Sequence, residues 1–144
     1  MGVVVGTRLP QWTVPEVSAE KMKTTAALLR DPTPIHWDTD AVRAIGLGDR
    51  PINQGPLNMA YVMNMLAAFS GGHDRLRRLR VRFRGNVRAG DRVSASGVVT
   101  ALREQDGELL CDCDVELSVA GEGTVLIGTA TIALPREGAG DGTT

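Results

Sequence analysis

A chain of 144 residues with 42% apolar content is the size of one domain and can bury one core. Its formal net charge of −1 gives no electrostatic reason to expect nucleic acid or an anionic membrane as a partner. No run approaches the roughly eighteen apolar residues of a membrane span, and the apolar Met1–Val5 is too short for a signal-peptide core, so a cytoplasmic location is expected.

In chain order, Ser18 is a good helix N-cap. The AEKMKTTAALLR behind it predicts a helix with Met22, Leu28 and Leu29 on one buried stripe. Asp31, Pro32 and Pro34 end that helix, and a second short one is expected from Asp38 or Thr39 through Ala41, Val42 and Ile45 to Gly46. Gly55-Pro56 signals a third start, since proline is pre-organised for the first helical turn. From Leu57 to Phe69 this helix is apolar almost all round, which predicts burial at the centre of the domain, and Ser70-Gly71-Gly72 closes it.

Period-two alternation then takes over. In LRVRFR, Leu79, Val81 and Phe83 face one way, against Arg78, Arg80, Arg82 and Arg84. A strand region over Val87–Leu102 contains a Gly90-Asp91 turn. In CDCDVELSV, Cys111, Cys113, Val115, Leu117 and Val119 face in, while Asp112, Asp114, Glu116 and Ser118 face out. Turns at Gln105-Asp106-Gly107 and Gly121-Glu122-Gly123 make the last strands an antiparallel meander. Residues 1–134 form one domain, and 135–144 read as a flexible tail. A sheet with one apolar face and a helix apolar on all sides satisfy each other if the sheet wraps the helix. The expected class is therefore α+β, with a hot-dog architecture.

Chemistry-bearing residues are few. Cys111 and Cys113, two apart on a strand, read as reduced core thiols, and with only two histidines no metal-ligand spacing exists. His36 lies in DPTPIH, where Asp31 puts an acid beside a base on a proline-stiffened turn. Spacing alone leaves two readings open: an acid–base pair, or a helix-ending aspartate next to an ordinary loop histidine. His73, in the polar SGGHD turn, is expected to face solvent. The arginines at 75, 77, 78, 80, 82 and 84 are either a solvated strand face or a landing strip for an anionic carrier, with Asp112, Asp114 and Glu116 as possible partners. The methionines at 59, 63 and 65 read as core filler.

Several segments, taken in order, resemble one family. VGTRLP at Val5–Pro10 is similar to its opening, DPTPIHWD to its D-x-N-P-[IL]-H-x-D segment, PINQGPLNMA to its PI-x-H-G-x-L stretch, VRAGDRVSASGVV to its glycine-aspartate turn, and GTATIALP to its closing strand. The family is that of the MaoC-like (R)-specific enoyl-thioester hydratases and 3-hydroxyacyl-thioester dehydratases, and the likeness runs from about Val5 to Leu134. Thr33 departs from its usual asparagine and Gln54 from its usual histidine.

The resemblance implies reversible hydration of a 2-enoyl thioester. Asp31 and His36 would share the proton movements, and an ordinary imidazole, titrating at about 6.5, suits that work. The backbone N–H of Gly55, at the positive end of the buried helix, is the candidate oxyanion donor. Thr33, Asn53, Gln54 and Tyr61 are candidate substrate-binding residues. No cofactor is implied, since CoA or a phosphopantetheine carrier arrives with the substrate. An acyl carrier protein and a homodimer or heterodimer with a related hot-dog chain are the expected partners. The rival readings are a hot-dog thioesterase and a non-catalytic partner subunit or acyl-binding module.

Overall fold

The computed structural model describes residues 2–136. Strand β1 (Trp12–Val14) is followed by α1 (Ala19–Leu29), a 3₁₀ turn at Pro34–His36, α2 (Thr39–Ala44) and α3 (Gly55–Ser70). A second 3₁₀ turn at His73–Arg75 leads into β2 (Leu76–Phe83), β3 (Val93–Gln105), β4 (Glu108–Val119) and β5 (Gly123–Leu134). The five strands form one antiparallel sheet in the order β1-β3-β4-β5-β2. No helix among the described residues is long and apolar enough to cross a membrane. The tail expected over 135–144 lies, from residue 137 onward, outside the described residues.

The sheet and α3 share one core. Val62, Met65 and Leu66 cluster with Ala95 and Val99 of β3, with the inward residues Cys111, Cys113, Val115 and Leu117 of β4, and with Leu126, Ala130 and Ile132 of β5. The two thiol sulfurs stand 3.7 Å apart, and that contact together with burial pushes the Cys113 thiol upward, so it stays protonated. Close approach of helix and sheet depends on Gly97, where a Cβ would stand 3.1 Å from the Asp114 carbonyl oxygen and 3.3 Å from Met65 Cε. The β3–β4 turn places Asp106 and Gly107 at φ 51° and 79°, two positive values in succession of the kind that suits the right-handed twist of a hairpin. An antiparallel sheet curled on a central helix is the hot-dog arrangement.

Ahead of α3, the chain is fastened by Asp91. Its carboxylate accepts from Arg50 Nη1 and from the Arg88 N–H, both at 2.8 Å, while its backbone carbonyl accepts from the Val17 N–H. The Gly90-Asp91 turn thereby joins the approach to α1, the loop before α3 and the start of β3.

Several elements depart from the sequence expectations. Leu28 and Leu29 are not on a buried stripe: they are 79% and 51% exposed, while Met22 is fully buried. Helix α1 packs through its first turns only, and Ala27–Leu29 project past the core. Helix α2 ends at Ala44, with Ile45 as its exposed cap rather than its last helical residue. Strand β1 was not anticipated, and the run from Val87 becomes strand only at Val93, because the Asp91 turn holds the intervening backbone.

This difference in packing is measurable by urea unfolding. Met22→Ala should cost about 2–4 kcal/mol, the range for emptying a well-packed side-chain site. Leu28→Ala should change stability by less than about 0.5 kcal/mol. Equal losses would contradict the placement of α1.

Candidate active site

The site begins where α1 ends. Arg30 takes a left-handed conformation (φ 51°, ψ 40°), a place that glycine more often fills, and the Asp31 N–H returns to the Ala26 carbonyl at 2.9 Å. This cap turns the chain away from the helix axis. Pro32 keeps Asp31 out of the helical region. Pro34 then opens a 3₁₀ turn rather than prolonging an extended loop, with the Trp37 and Asp38 N–H groups both donating to the Pro34 carbonyl. Acid and base are thus brought together by a helix cap, a short extended link and a tight turn.

The two side chains converge. His36 Nε2 lies 3.6 Å from Asp31 Oδ2, with the imidazole mostly covered and the carboxylate about one-third exposed (12% and 32%). The other imidazole nitrogen, Nδ1, is 2.7 Å from the Ile52 carbonyl oxygen. A carbonyl can only accept, so Nδ1 carries the proton, and in the neutral ring Nε2 is the lone-pair nitrogen. The Ile52 N–H in turn donates to the Ile35 carbonyl at 2.8 Å, which fastens the turn to the segment before α3.

Thr33 organises the carboxylate. Its N–H and hydroxyl donate to Asp31 Oδ1 at 3.0 and 2.5 Å, leaving Oδ2 turned to His36. The Thr33 hydroxyl, its backbone N–H and, last, the nearby imidazole hold the Asp31 carboxyl below the usual aspartate range, against a smaller opposing effect of burial. Threonine here thus supplies carboxylate orientation from the position where asparagine was expected.

Gly55 starts α3 three residues after Ile52. Its N–H finds no acceptor among the described residues, Pro56 has none to offer, and the Leu57 N–H is already bonded to the Gln54 carbonyl at 3.0 Å. A Cβ on Gly55 would stand 3.1 Å from Phe83 Cζ, so glycine is what fits beneath that ring. Phe83 lies on the inward-facing register of β2, as its alternation predicts, yet its ring is half-exposed at the helix mouth.

The remaining candidates lie at the start of α3 and in its first two turns. Gln54 is buried, and its Nε2 donates to the Met22 carbonyl at 2.8 Å, so it ties α1 to the start of α3. Asn53 is buried as well; its Nδ2 donates to Asn58 Oδ1 at 2.8 Å and to the Tyr61 oxygen at 3.2 Å. Burial pushes the Tyr61 phenol above its usual range, with the Asn53 bond partly offsetting this, so Tyr61 remains a neutral hydroxyl. Asn58 joins this cluster without having been expected there, although a polar side chain in the first turns of a largely apolar helix is itself a signal. The Ile52 carbonyl, being backbone, leaves no trace in sequence at all.

Other features fall outside the site. His73 is exposed, as expected. Asp112 is held by Arg103 at 3.1 Å and by the Thr131 hydroxyl at 2.6 Å, while Arg78 of β2 acts on it as a weaker charge without forming an ion pair. A hollow of about 520 Å³ on the outer sheet face is lined by Arg8, Asp114, Glu116 and Thr129 among others. Asp31, His36 and Gly55 line neither that hollow nor those at the Val3–Phe69 rim, the Glu16–Gly90 corner and the Arg77–Glu108 rim.

The sequence matches the family model described as a MaoC like domain over residues 7–119. No curated protein matches the sequence at a significant level. Among solved structures, the (R)-hydratase from A. caviae involved in PHA biosynthesis superposes with a TM-score of 0.81 at 25% identity, covering 92% of this chain and 98% of that one. The ChsH1-ChsH2 complex from Mycobacterium tuberculosis gives 0.79 at 21% identity, with 93% and 100% covered. The C-terminally truncated HadBC (3R-hydroxyacyl-ACP dehydratase) complex from the same organism gives 0.72 at 17% identity, with 92% and 98% covered. The latter two likenesses are of fold. With the family matched over most of its length, the chain belongs to the MaoC-like dehydratase family.

Proposed function

We propose that this chain hydrates 2-enoyl thioesters and dehydrates 3-hydroxyacyl thioesters, with Asp31 and His36 as the acid–base pair. The observation that carries the reading is the pairing of two acceptors, His36 Nε2 and Asp31 Oδ2, at 3.6 Å. That gap is too long for a direct bond but lets one water donate a proton to each at ordinary hydrogen-bond lengths. A water held by both protons presents its oxygen lone pair outward, toward the β-carbon of an enoyl group. As the C–O bond forms, the water gives a proton to the pair, and the pair returns a proton to the α-carbon.

Charge then develops on the thioester oxygen. The Gly55 N–H, at the positive end of a 16-residue helix, is its donor, and the absence of a side chain lets the thioester lie close to the backbone. Such a donor is typically worth roughly 3 kcal/mol in the transition state. Thr33 sets the carboxylate, Gln54 keeps α1 against α3, and Asn53 with Tyr61 forms a polar floor. Exposed Leu28, Leu29 and Trp37 flank the pair in sequence and suit an acyl chain. CoA or a phosphopantetheine carrier belongs to the substrate, and a second hot-dog chain joins along the open sheet edge.

The direct test is a crotonyl-type thioester assay following enoyl absorbance and free thiol together. Loss of the enoyl band without thiol release is expected. Thiol release would indicate a thioesterase, and silence a non-catalytic subunit. His36→Ala and Asp31→Asn should each lower turnover by at least about 10²-fold with the fold intact, the usual scale for losing a positioned acid or base. Near-normal rates in both would refute the assignment.

Thr33→Val removes the hydroxyl that holds the Asp31 pKa down. Its carboxyl carbon, followed by NMR titration, should therefore protonate at a higher pH than in the unaltered chain. An unchanged midpoint would show that the hydroxyl does not orient this group.

A further inference from the structure

The open edge of β2 has a charge pattern that selects its partner. Strand β2 ends the sheet and pairs with β5 along one side only, so Leu76–Phe83 presents an eight-residue edge, against three residues for β1 at the other end. A long unpaired edge in a stable fold is normally covered or joined. On the outer face of this strand stand Arg78, Arg80 and Arg82, with Arg84 just beyond, all exposed. None of the four has a carboxylate within 4.0 Å among the described residues; the ion pairs formed nearby use Arg77 with Glu108 and Arg103 with Asp112. The acidic row Asp112, Asp114 and Glu116 lies two strands away, beyond Thr131, Thr129 and Ile127 of β5, and Arg78 reaches Asp112 only as a weaker charge added to Arg103 and Thr131. Two strand spacings are about 10 Å.

Register arithmetic then excludes a comfortable self-pairing. A copy related by a two-fold axis normal to the sheet joins β2 to β2 antiparallel. Continuity of the core requires Leu79, Val81 and Phe83 to stay on the helix side, so even-numbered residues must oppose even-numbered ones. Arg78 then faces Arg78, Arg80, Arg82 or Arg84 of the copy, and shifting the register only exchanges one arginine for another. Side chains directly opposite across strands are about 5 Å apart, where like charges destabilise pairing. From this we infer that the β2 edge joins a different chain, one whose joining strand carries aspartate or glutamate on the outer face. The inference rests on the edge-joined assembly proposed above and not on the chemistry of Asp31 and His36.

The test uses the full chain and, as a stand-in for an acidic partner, a copy carrying Arg78→Glu, Arg80→Glu and Arg82→Glu, both followed by analytical ultracentrifugation without substrate. The unaltered chain should self-associate weakly, and more strongly as salt screens the arginines. An equimolar mixture with the reversed copy should form a one-to-one dimer at least about tenfold tighter than either chain alone, weakening with added salt. Self-association of the unaltered chain as tight as the mixture, or no dimer in the mixture, would overturn the inference. Should the reversed copy fail to fold by circular dichroism, an Arg78→Gln, Arg80→Gln, Arg82→Gln copy replaces it. That copy should self-associate more tightly than the unaltered chain, and equal affinity would again overturn the proposal. Association is read without turnover, so this result and the thioester assay can fail independently.

Discussion

The hydrogen bond from His36 Nδ1 to the Ile52 carbonyl, 2.7 Å long, is the interaction on which the rest of the site depends. It fixes the ring's tautomer, so that the nitrogen left basic is the one facing Asp31. It also binds the 3₁₀ turn carrying His36 to the segment that becomes α3. Without it, the imidazole could rotate, and the carboxylate would face a ring of undefined role. The acid–base geometry and the position of the helix mouth are therefore set by one contact between a loop and the backbone.

Around that contact the fold supplies rigidity from three directions. Thr33 takes one carboxylate oxygen and leaves the other, which turns a symmetric group into a directed one. Gln54 reaches back from the N-cap of α3 to the Met22 carbonyl, so the helix that delivers Asp31 is tied to the helix that delivers Gly55. The Asp91 turn holds the approach to both. The Gln54 and Asp91–Arg50 contacts are buried or part-buried and join segments distant in sequence, and the curled sheet with its apolar core gives them a fixed frame, whereas the Thr33 clamp is local and exposed.

Much of this was legible in the sequence. Period-two alternation in CDCDVELSV and an all-round apolar run after Gly55-Pro56 each gave an element and a facing, and together they gave the architecture. DPTPIH gave an acid and a base, because prolines and a tight spacing restrict what the chain can do. What the sequence withheld is tertiary. Leu28 and Leu29 have the periodicity of a buried stripe, but whether a helix's last turn has anything to pack against depends on where the sheet ends. Gln54 as an inter-helix tie depends on groups meeting across loops, which no local pattern encodes; the Thr33 clamp on Asp31, two residues away, is by contrast a local Asx-turn contact. The repulsion latent in the β2 arginines becomes visible only once the strand is known to be an edge.

The claim at the centre is that neutral His36 keeps its proton on Nδ1 and offers Nε2 toward Asp31. Nitrogen-15 NMR of the imidazole in the unaltered chain, at a pH where the ring is neutral, reads this directly. The account predicts a protonated Nδ1 and a bare Nε2, while a ring protonated at Nε2 would contradict it.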